Sequence, residues 1–277
     1  MLAATFDIGT TAVKAVVVNE NGEAVFTGSS VIHTIETENF KEQDPDEWYE
    51  AFCGLSKELF EIIPAAEIGA VIFSGQMQDV IPVGADGKAL GNAILYSDGR
   101  ADEQARAIIR EAAKRNVVPL GDAYIAEITG NHFDGSMPLA KILWLKENKP
   151  EIYEKTACFL ISSKDYVITR LTGVFAGDMT ACSTAGAMDL DRKEWSEELI
   201  EAAGLDRDRF PKVGTPWGQK FTREPEMRAR RHSRAGSCLR ESIISTSEHP
   251  AGWQPSRTGG WRAKAADSTW RRCRKIF

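Results

Sequence analysis

The sequence has few cysteines, and their spacing argues against regular zinc or disulfide motifs. Five cysteines are spread over 277 residues, an odd number without any Cys-x-x-Cys pair. Structural zinc sites and disulfide frameworks need paired, regularly spaced cysteines, so we expect free, reduced thiols. Reduced thiols are typical of a cytoplasmic protein.

Long apolar runs are absent too. No stretch approaches the roughly 18 apolar residues that a membrane helix requires, and no basic region precedes the apolar stretch at the N-terminus. We therefore predict neither a membrane span nor a secretory signal, and expect a cytoplasmic location. The length of 277 residues is nevertheless enough for one large or two ordinary domains with a real core, and a hydrophobic content of 43% fits a soluble globular protein.

The charge divides the chain into two unequal parts. Residues 1–219 contain 20 Lys and Arg against 35 Asp and Glu, a net charge of −15, whereas residues 220–277 contain 14 against 5, a net charge of +9. The second part also shows no useful strand or helix period. We therefore predict a folded domain over 1–219 and an atypical basic tail over 220–277.

Strand and helix patterns alternate within the first part, which predicts an α/β fold. Three extended stretches at 2–6, 12–18 and 23–35 indicate an antiparallel meander. Asp44 and Pro45 form a strong helix start. The apolar residues that follow at spacings of 4, 3, 4 and 3 predict one buried helical face, formed by Trp48, Phe52, Leu55, Leu59 and Ile62.

Further elements follow from apolar runs and turn residues. They are a strand at 68–73 covered on both faces, hairpin strands at 80–83 and 93–96, helices over 101–115 and from Pro138, a strand at 158–161, a helix over 164–171 capped by Ser162 or Ser163, a polar loop at 177–183 and a last helix over 189–204.

The turn after the first strand is a candidate phosphate site. Asp7 ends the strand, Gly9 lets the backbone approach a ligand closely, and Thr10, Thr11 and Lys14 supply hydroxyl, amide and ammonium groups. A strand follows directly, which separates this turn from Walker and Rossmann loops. Here Asp7 would hold a hydrated Mg²⁺. The same residues also suit a plain hairpin turn.

Several short motifs, in this order and at these spacings, resemble the N-terminal domain of the FGGY family of sugar kinases, and within it the xylulokinases. They are Asp7-Ile8-Gly9-Thr10-Thr11, Glu42-Gln43-Asp44-Pro45, Ser74-Gly75-Gln76-Met77, Ser97-Asp98-Gly99-Arg100, Ile128-Thr129-Gly130-Asn131, Lys141-Ile142-Leu143-Trp144-Leu145, Lys164-Asp165-Tyr166 and Asp178-Met179-Thr180.

The resemblance implies an actin-like, ribonuclease-H-like domain with a mixed sheet flanked by helices, a sugar in a cleft between two such domains, and ATP with Mg²⁺ bound mainly by the second. It assigns Asp7 to the Mg²⁺ and phosphate end. It places Thr10, Thr11 and Lys14 along the γ-phosphate path. The sugar side is implied to be formed by Gln76, Met77, Gln78, Asp98 and Arg100.

The sequence departs from the family pattern at two points. Gln78 stands where xylulokinases typically have histidine, so a ketopentose is the expected substrate class but the individual sugar is open. The family's catalytic aspartate lies in a Gly-Gly-Asp-type loop of the second domain, and residues 220–277 contain no such loop. No catalytic residue is therefore identified, and we expect weak nucleotide binding and an inactive chain.

Alternatives stay open for several features. The tail is interpreted as a frame-shifted, unstructured segment, with a nucleic-acid-binding or regulatory segment as the less favoured interpretations. The whole chain could instead be a non-catalytic sugar-binding domain, and a second copy could cover the face left by a missing domain. Asp98 and Arg100 could form only a surface ion pair, and Met77 could belong to the core.

Overall fold

The computed structural model describes residues 2–37, 40–114, 122–214, 253–255 and 261–263. Its strands are β1 (Leu2–Ile8), β2 (Ala12–Val18), β3 (Ala24–Val31), β4 (Ile35–Glu36), β5 (Lys41–Gln43), β6 (Ile68–Gly75), β7 (Met77–Val83), β8 (Ala93–Ile94), β9 (Cys158–Ser162), β10 (Ala176–Asp178), β11 (Met188–Asp189), β12 (Glu194–Trp195), β13 (Lys212–Gly214), β14 (Trp253–Pro255) and β15 (Trp261–Ala263).

Helices connect and cover these strands. They are α1 (Pro45–Ile62), α2 (Asp102–Lys114), α3 (Asp122–Thr129), α4 (Pro138–Asn148), α5 (Pro150–Lys155), α6 (Ser163–Thr172), α7 (Met179–Ser183) and α8 (Glu197–Ala202), with 3₁₀ turns at Ala65–Glu67 and Arg207–Arg209.

Two sheets organise the fold. The first has the order β3-β2-β1-β6, in which β1 pairs antiparallel with β2 and parallel with β6. The second has the order β4-β5-β8-β7-β9 and is antiparallel throughout. The predicted meander and the predicted mixed sheet of an α/β fold are both confirmed.

Helix α1 begins and packs as its sequence predicts. The Asp44 carboxylate accepts a hydrogen bond from the Asp46 amide, and Pro45 occupies the first turn. The predicted apolar face is buried except at Ile62, which is 66% exposed. The helix ends at Ile62. The next residue, Ile63, has an extended backbone, and its side chain is buried in the core instead.

The prediction for the strand at 68–73 is wrong in one respect. β6 is an edge strand of the first sheet among the described residues, and Ile72 on its outer face is 55% exposed. Its inner face packs on the core, where Phe73 stacks on Phe6 at 5.8 Å. By contrast, every residue of β9 is buried, so that strand is covered on both faces.

Three further local predictions need correction. The segment at 189–204 forms the short β11–β12 hairpin before α8, because Trp195 pairs with Met188 instead of continuing a helix. Residues 179–183 form α7, since the Asp178 carboxylate caps the Thr180 and Ala181 amides. Neither predicted serine caps α6, because the Ser162 hydroxyl donates to the Gln76 carbonyl and the Ser163 hydroxyl to the Ile8 carbonyl.

The predicted tail lies mostly outside the described residues. Only β14 and β15 are described there, and they pair antiparallel with Trp253 opposite Ala263. The frame-shift hypothesis therefore stays a prediction. No helix in the described part of the chain is both long and apolar enough to cross a membrane.

Gly75 provides a test of the packing where β1, β6 and α6 meet. A Cβ atom there would lie 2.5 Å from Ser163 Oγ, 3.0 Å from the Ile8 carbonyl oxygen and 3.1 Å from the Lys164 amide nitrogen. Because two of these neighbours are backbone atoms, we expect Gly75→Ala to lower the free energy of unfolding by about 1–3 kcal/mol in urea titrations.

Gly54 in α1 is the matched control, since a Cβ there meets nothing within 4 Å. Gly54→Ala should raise the stability by up to about 1 kcal/mol, the usual gain for alanine in a helix interior. Equal stability of the two variants would contradict the close approach at Gly75.

Candidate functional site

The candidate site lies where the carboxyl ends of β1 and β6 meet the N-terminus of α6. Parallel register places Asp7 beside Ser74 and Ile8 beside Gly75. The chain then turns, and the backbone N–H of Gln76 donates to the Ile8 carbonyl at 3.0 Å. The hairpin at 7–14 predicted to bind phosphate (the phosphate hairpin) and the residues 76–78 predicted to face the sugar (the sugar segment) are therefore direct neighbours.

Three polar side chains share one face of the first sheet at this edge. Asp7 is the register partner of both Lys14 on β2 and Ser74 on β6, so all three project from the face opposite Phe6. The Ser74 hydroxyl donates to Asp7 Oδ1. A Cβ atom on Gly9 would lie 3.1 Å from the Ala12 carbonyl and 3.6 Å from Asp7 Oδ2, so glycine leaves this side of the carboxylate open.

The residues around Asp7 fit a hydrated Mg²⁺ and not a protein-enclosed metal. The described residues contain no group of three or more His, Cys, Asp or Glu side chains that could hold a metal ion. Mg²⁺ usually takes only one or two carboxylates and fills its remaining positions with water and phosphate oxygens. Asp7, with one oxygen held by Ser74, suits that single contact.

A closed ring of hydrogen bonds joins the hairpin to the sugar segment. Thr10 Oγ1 donates to Gln76 Oε1 at 2.7 Å, Gln76 Nε2 donates to Gln43 Oε1 at 2.8 Å, and Gln43 Nε2 donates to the Thr10 carbonyl at 2.6 Å. Sequence reasoning missed Gln43 as a site residue, although it lies in the Glu42-Gln43-Asp44-Pro45 motif. A polar residue directly before a helix cap was the available signal.

Gln78 has an unusual backbone conformation. Its φ of 66° lies in the left-handed region, which costs a residue with a side chain about 1 kcal/mol or more. The side chain reaches Ser136 with Nε2 3.2 Å from Oγ. Met77, the preceding residue, is half-buried and pairs with Ser162 on β9.

Asp98 and Arg100 form a buried ion pair, not a surface one. Arg100 donates to both Asp98 oxygens and to Glu42, and its side chain is only 3% exposed. The guanidinium lies 4.1 Å from the Phe40 ring centroid and 4.8 Å from that of Trp144. Burial raises the pKa of Asp98, but the hydrogen bonds from Arg100 and the Lys41 amide outweigh burial and lower it overall.

Asp79 connects the sugar segment to this ion pair. The Tyr96 amide donates to Asp79 Oδ1 at 3.1 Å, while Oδ2 has no hydrogen-bond partner among the described residues. Burial raises the pKa of Asp79 and lowers the pKa of the neighbouring Lys141, whose ammonium donates to the Leu95 carbonyl. The segment at 95–98 is thus held against the start of β7.

A second charged cluster lies at the start of α6. Lys164 Nζ is 3.1 Å from Asp165 Oδ1 and 2.5 Å from Asp178 Oδ2. Burial raises the pKa of Asp165 to about 6, and the ammonium of Lys164 offsets this only in part. The Lys164–Asp178 contact ties α6 to β10, which pairs with β13 at the end of the domain.

The architecture and this site together define an actin-like domain of the kind found in sugar kinases. The structure matches the ligand-bound xylulose kinase of Lactobacillus acidophilus with a TM-score of 0.67 and 29% identity, over 78% of this chain and 42% of that one. It matches the gluconate kinase of the same organism with a TM-score of 0.68 and 29% identity, over 81% and 44%. The predicted actin-like fold is confirmed.

The family model for the N-terminal domain of the FGGY family of carbohydrate kinases matches residues 2–221, and the chain belongs to this family. It is 35% identical over 208 residues to the xylulose kinase of Bacillus subtilis (strain 168), across 74% of this chain and 40% of that protein. A gluconokinase of the same strain is 29% identical over 209 residues. The chain spans about 40% of the length of these curated relatives.

Titration of Asp165 predicts that the stability of the fold depends on pH. Its folded pKa of about 6 lies above the ordinary aspartate value of 3.8, so the folded state binds this proton more tightly than the unfolded state. The resulting stabilisation is full below the lower pKa and is lost as the pH rises through the higher one. The difference corresponds to up to about 3 kcal/mol.

We expect Asp165→Asn to remove this loss. The free energy of unfolding of the variant, relative to that of the unaltered chain, should therefore increase between pH 4 and pH 7. Urea titrations at several pH values would show the change, and parallel pH profiles for the two proteins would contradict it.

Proposed function

We propose that this chain is the sugar-binding part of an ATP-dependent carbohydrate kinase, with a small sugar of the ketopentose type as substrate. One observation carries the proposal: Thr10 of the phosphate hairpin is hydrogen-bonded to Gln76 of the sugar segment at 2.7 Å. A kinase must place a sugar hydroxyl next to the phosphate that it receives, and this contact brings the two binding segments together.

The residues divide between two tasks. Gln76 and Gln78 present amide groups, which donate and accept hydrogen bonds, to sugar hydroxyls, and Met77 supplies an apolar surface between them. Lys14, Thr11 and the backbone of the hairpin stabilise negative charge on the phosphate side, and Asp7 would hold Mg²⁺ there. ATP with Mg²⁺, when bound, supplies the phosphoryl group and neutralises part of its charge.

Asp98 and Arg100 support the sugar side from behind. Both are buried, and Arg100 is already paired with Asp98 and Glu42. Together with the hydrogen bond from the Tyr96 amide to Asp79, this pair holds the segment at 95–98 against β7, which begins with Met77 and Gln78. Stable placement of that segment is what orientation of a sugar requires.

Proton removal from the sugar hydroxyl needs a base that this site does not supply. The carboxylates of Asp79 and Asp98 flank the sugar segment but are buried, and Asp98 is also engaged by Arg100. The Asp7 carboxylate, which accepts from Ser74, is assigned to Mg²⁺ in this proposal. We therefore expect the chain to bind sugar without phosphorylating it.

A second candidate is a non-catalytic sugar-binding or regulatory domain, which the burial of the Asp79 and Asp98 carboxylates favours. Both candidates predict saturable sugar binding without turnover by this chain, so the binding test below bears on both. The proposal also includes a cytoplasmic setting, supported by the free thiols of Cys53, Cys158 and Cys182.

Calorimetric titration of the 277-residue chain with xylulose, ribulose and gluconate tests the proposal. We expect saturable binding of at least one ketopentose. Gln76→Leu should weaken it by about fivefold, since one hydrogen bond to the sugar is worth about 1 kcal/mol. Gln104→Leu is the control, because that amide bonds Glu147 on α4 and takes no part in the sugar segment.

Kinase assays over the same sugars complete the test. We expect ATP consumption no higher than without protein. Turnover comparable to that of known sugar kinases would contradict the expectation that this site lacks the base that takes the proton from the sugar hydroxyl. Absence of any sugar binding would contradict the proposed function.

A further inference from the structure

We infer that Gln43, a fully buried residue, is a positioning residue that determines which hydrogen-bonding groups Gln76 presents to the sugar. The inference rests on the proposed function, because it concerns the same sugar site. It follows from the hydrogen-bond capacity of each group in the Thr10–Gln76–Gln43 ring.

The orientation of the Gln43 amide is determined twice. Trp48 Nε1–H can only donate, and it lies 3.1 Å from Gln43 Oε1. The Thr10 carbonyl can only accept, and it lies 2.6 Å from Gln43 Nε2. Exchanging the oxygen and nitrogen of Gln43 would bring two donors together at Trp48 and two acceptors together at Thr10, so only one orientation satisfies both neighbours.

This orientation uses the whole capacity of the Gln43 side chain. Its two N–H groups bond to the Thr10 carbonyl and to Thr34 Oγ1 at 2.8 Å. Its oxygen accepts from Trp48 and from Gln76 Nε2. Because Gln43 is 0% exposed, no water can substitute for any of these bonds.

Gln76 must follow the orientation of Gln43. Only the nitrogen of its amide can donate to Gln43 Oε1, so its oxygen faces Thr10 and accepts the hydroxyl proton. One N–H group and one lone pair of Gln76 then have no partner among the described residues. This donor and acceptor, side by side and held in a known orientation, suit a sugar hydroxyl or two neighbouring ones.

The ring also assigns the proton of Thr10. Its hydroxyl donates to Gln76, so toward the phosphate side it presents only oxygen lone pairs, and the backbone amides of the hairpin are left to contact anionic oxygens. Gln43 thereby links the two halves of the site, because it bonds the backbone of Thr10 and the side chain of Gln76 at once.

Gln43→Glu tests the inference in the 277-residue chain. The ionised carboxylate would place an oxygen against the Thr10 carbonyl, and we expect sugar affinity at neutral pH to fall about tenfold or more. Burial raises the pKa of such a carboxyl group, so mild acid protonates it. It can then donate to Thr10 and accept from Trp48 and Gln76, and affinity should recover at low pH only in this variant.

Asn131→Asp is the matched control. The Asn131 amide also donates to backbone carbonyls, those of Thr129 and Ser183, but it lies outside the ring. We expect this variant to lose thermal stability without losing sugar affinity. Trp48→Phe is a second test that keeps an aromatic ring and removes only the N–H group, and it should weaken sugar binding less than Gln43→Glu does.

The outcomes separate the inference from the function on which it rests. Binding of sugar by Gln43→Glu with unchanged affinity at neutral pH would overturn the inference alone. An affinity loss that does not recover in acid, or that Asn131→Asp shares, would also overturn it, since general destabilisation would then explain the loss. Absence of sugar binding by the unaltered chain would overturn both.

Discussion

The parallel pairing of β1 with β6 is the contact on which the site depends. These strands lie far apart in the sequence, and their register alone brings Asp7 next to Ser74 and Ile8 next to Gly75. Gly75 then allows α6 to approach so closely that Ser163 donates to the Ile8 carbonyl at 2.7 Å. Without this register, the phosphate hairpin and the sugar segment would not lie close enough for Thr10 to bond Gln76.

Burial of polar groups supports the site on two sides. On one side the amide of Gln43 is fully satisfied, and on the other Arg100 is enclosed by Asp98, Glu42 and two aromatic rings. Buried polar groups are stable only when every partner is present, so such clusters favour one arrangement of the chain over many similar ones. The ligand-facing residues gain their orientation from these buried neighbours.

The sequence predicts the elements whose signals are local, and it fails where distant residues decide. The meander and the cap of α1 follow from adjacent residues. The burial of Arg100 depends on Phe40 and Trp144, and the role of Gln43 depends on Thr10 and Gln76, none of which are neighbours in the chain. Likewise, an apolar run such as that of β6 does not indicate whether other elements will cover one face of the strand or both.

Two requirements conflict at Gln78. Its left-handed backbone favours a small residue, whereas its contact with Ser136 needs a long side chain. A glycine would adopt this conformation without strain, and asparagine would adopt it more easily than glutamine does. Either replacement would shorten or remove the amide that reaches Ser136. The contact between Gln78 and Ser136 is therefore accompanied by a backbone cost of about 1 kcal/mol or more, which a glycine at this position would avoid.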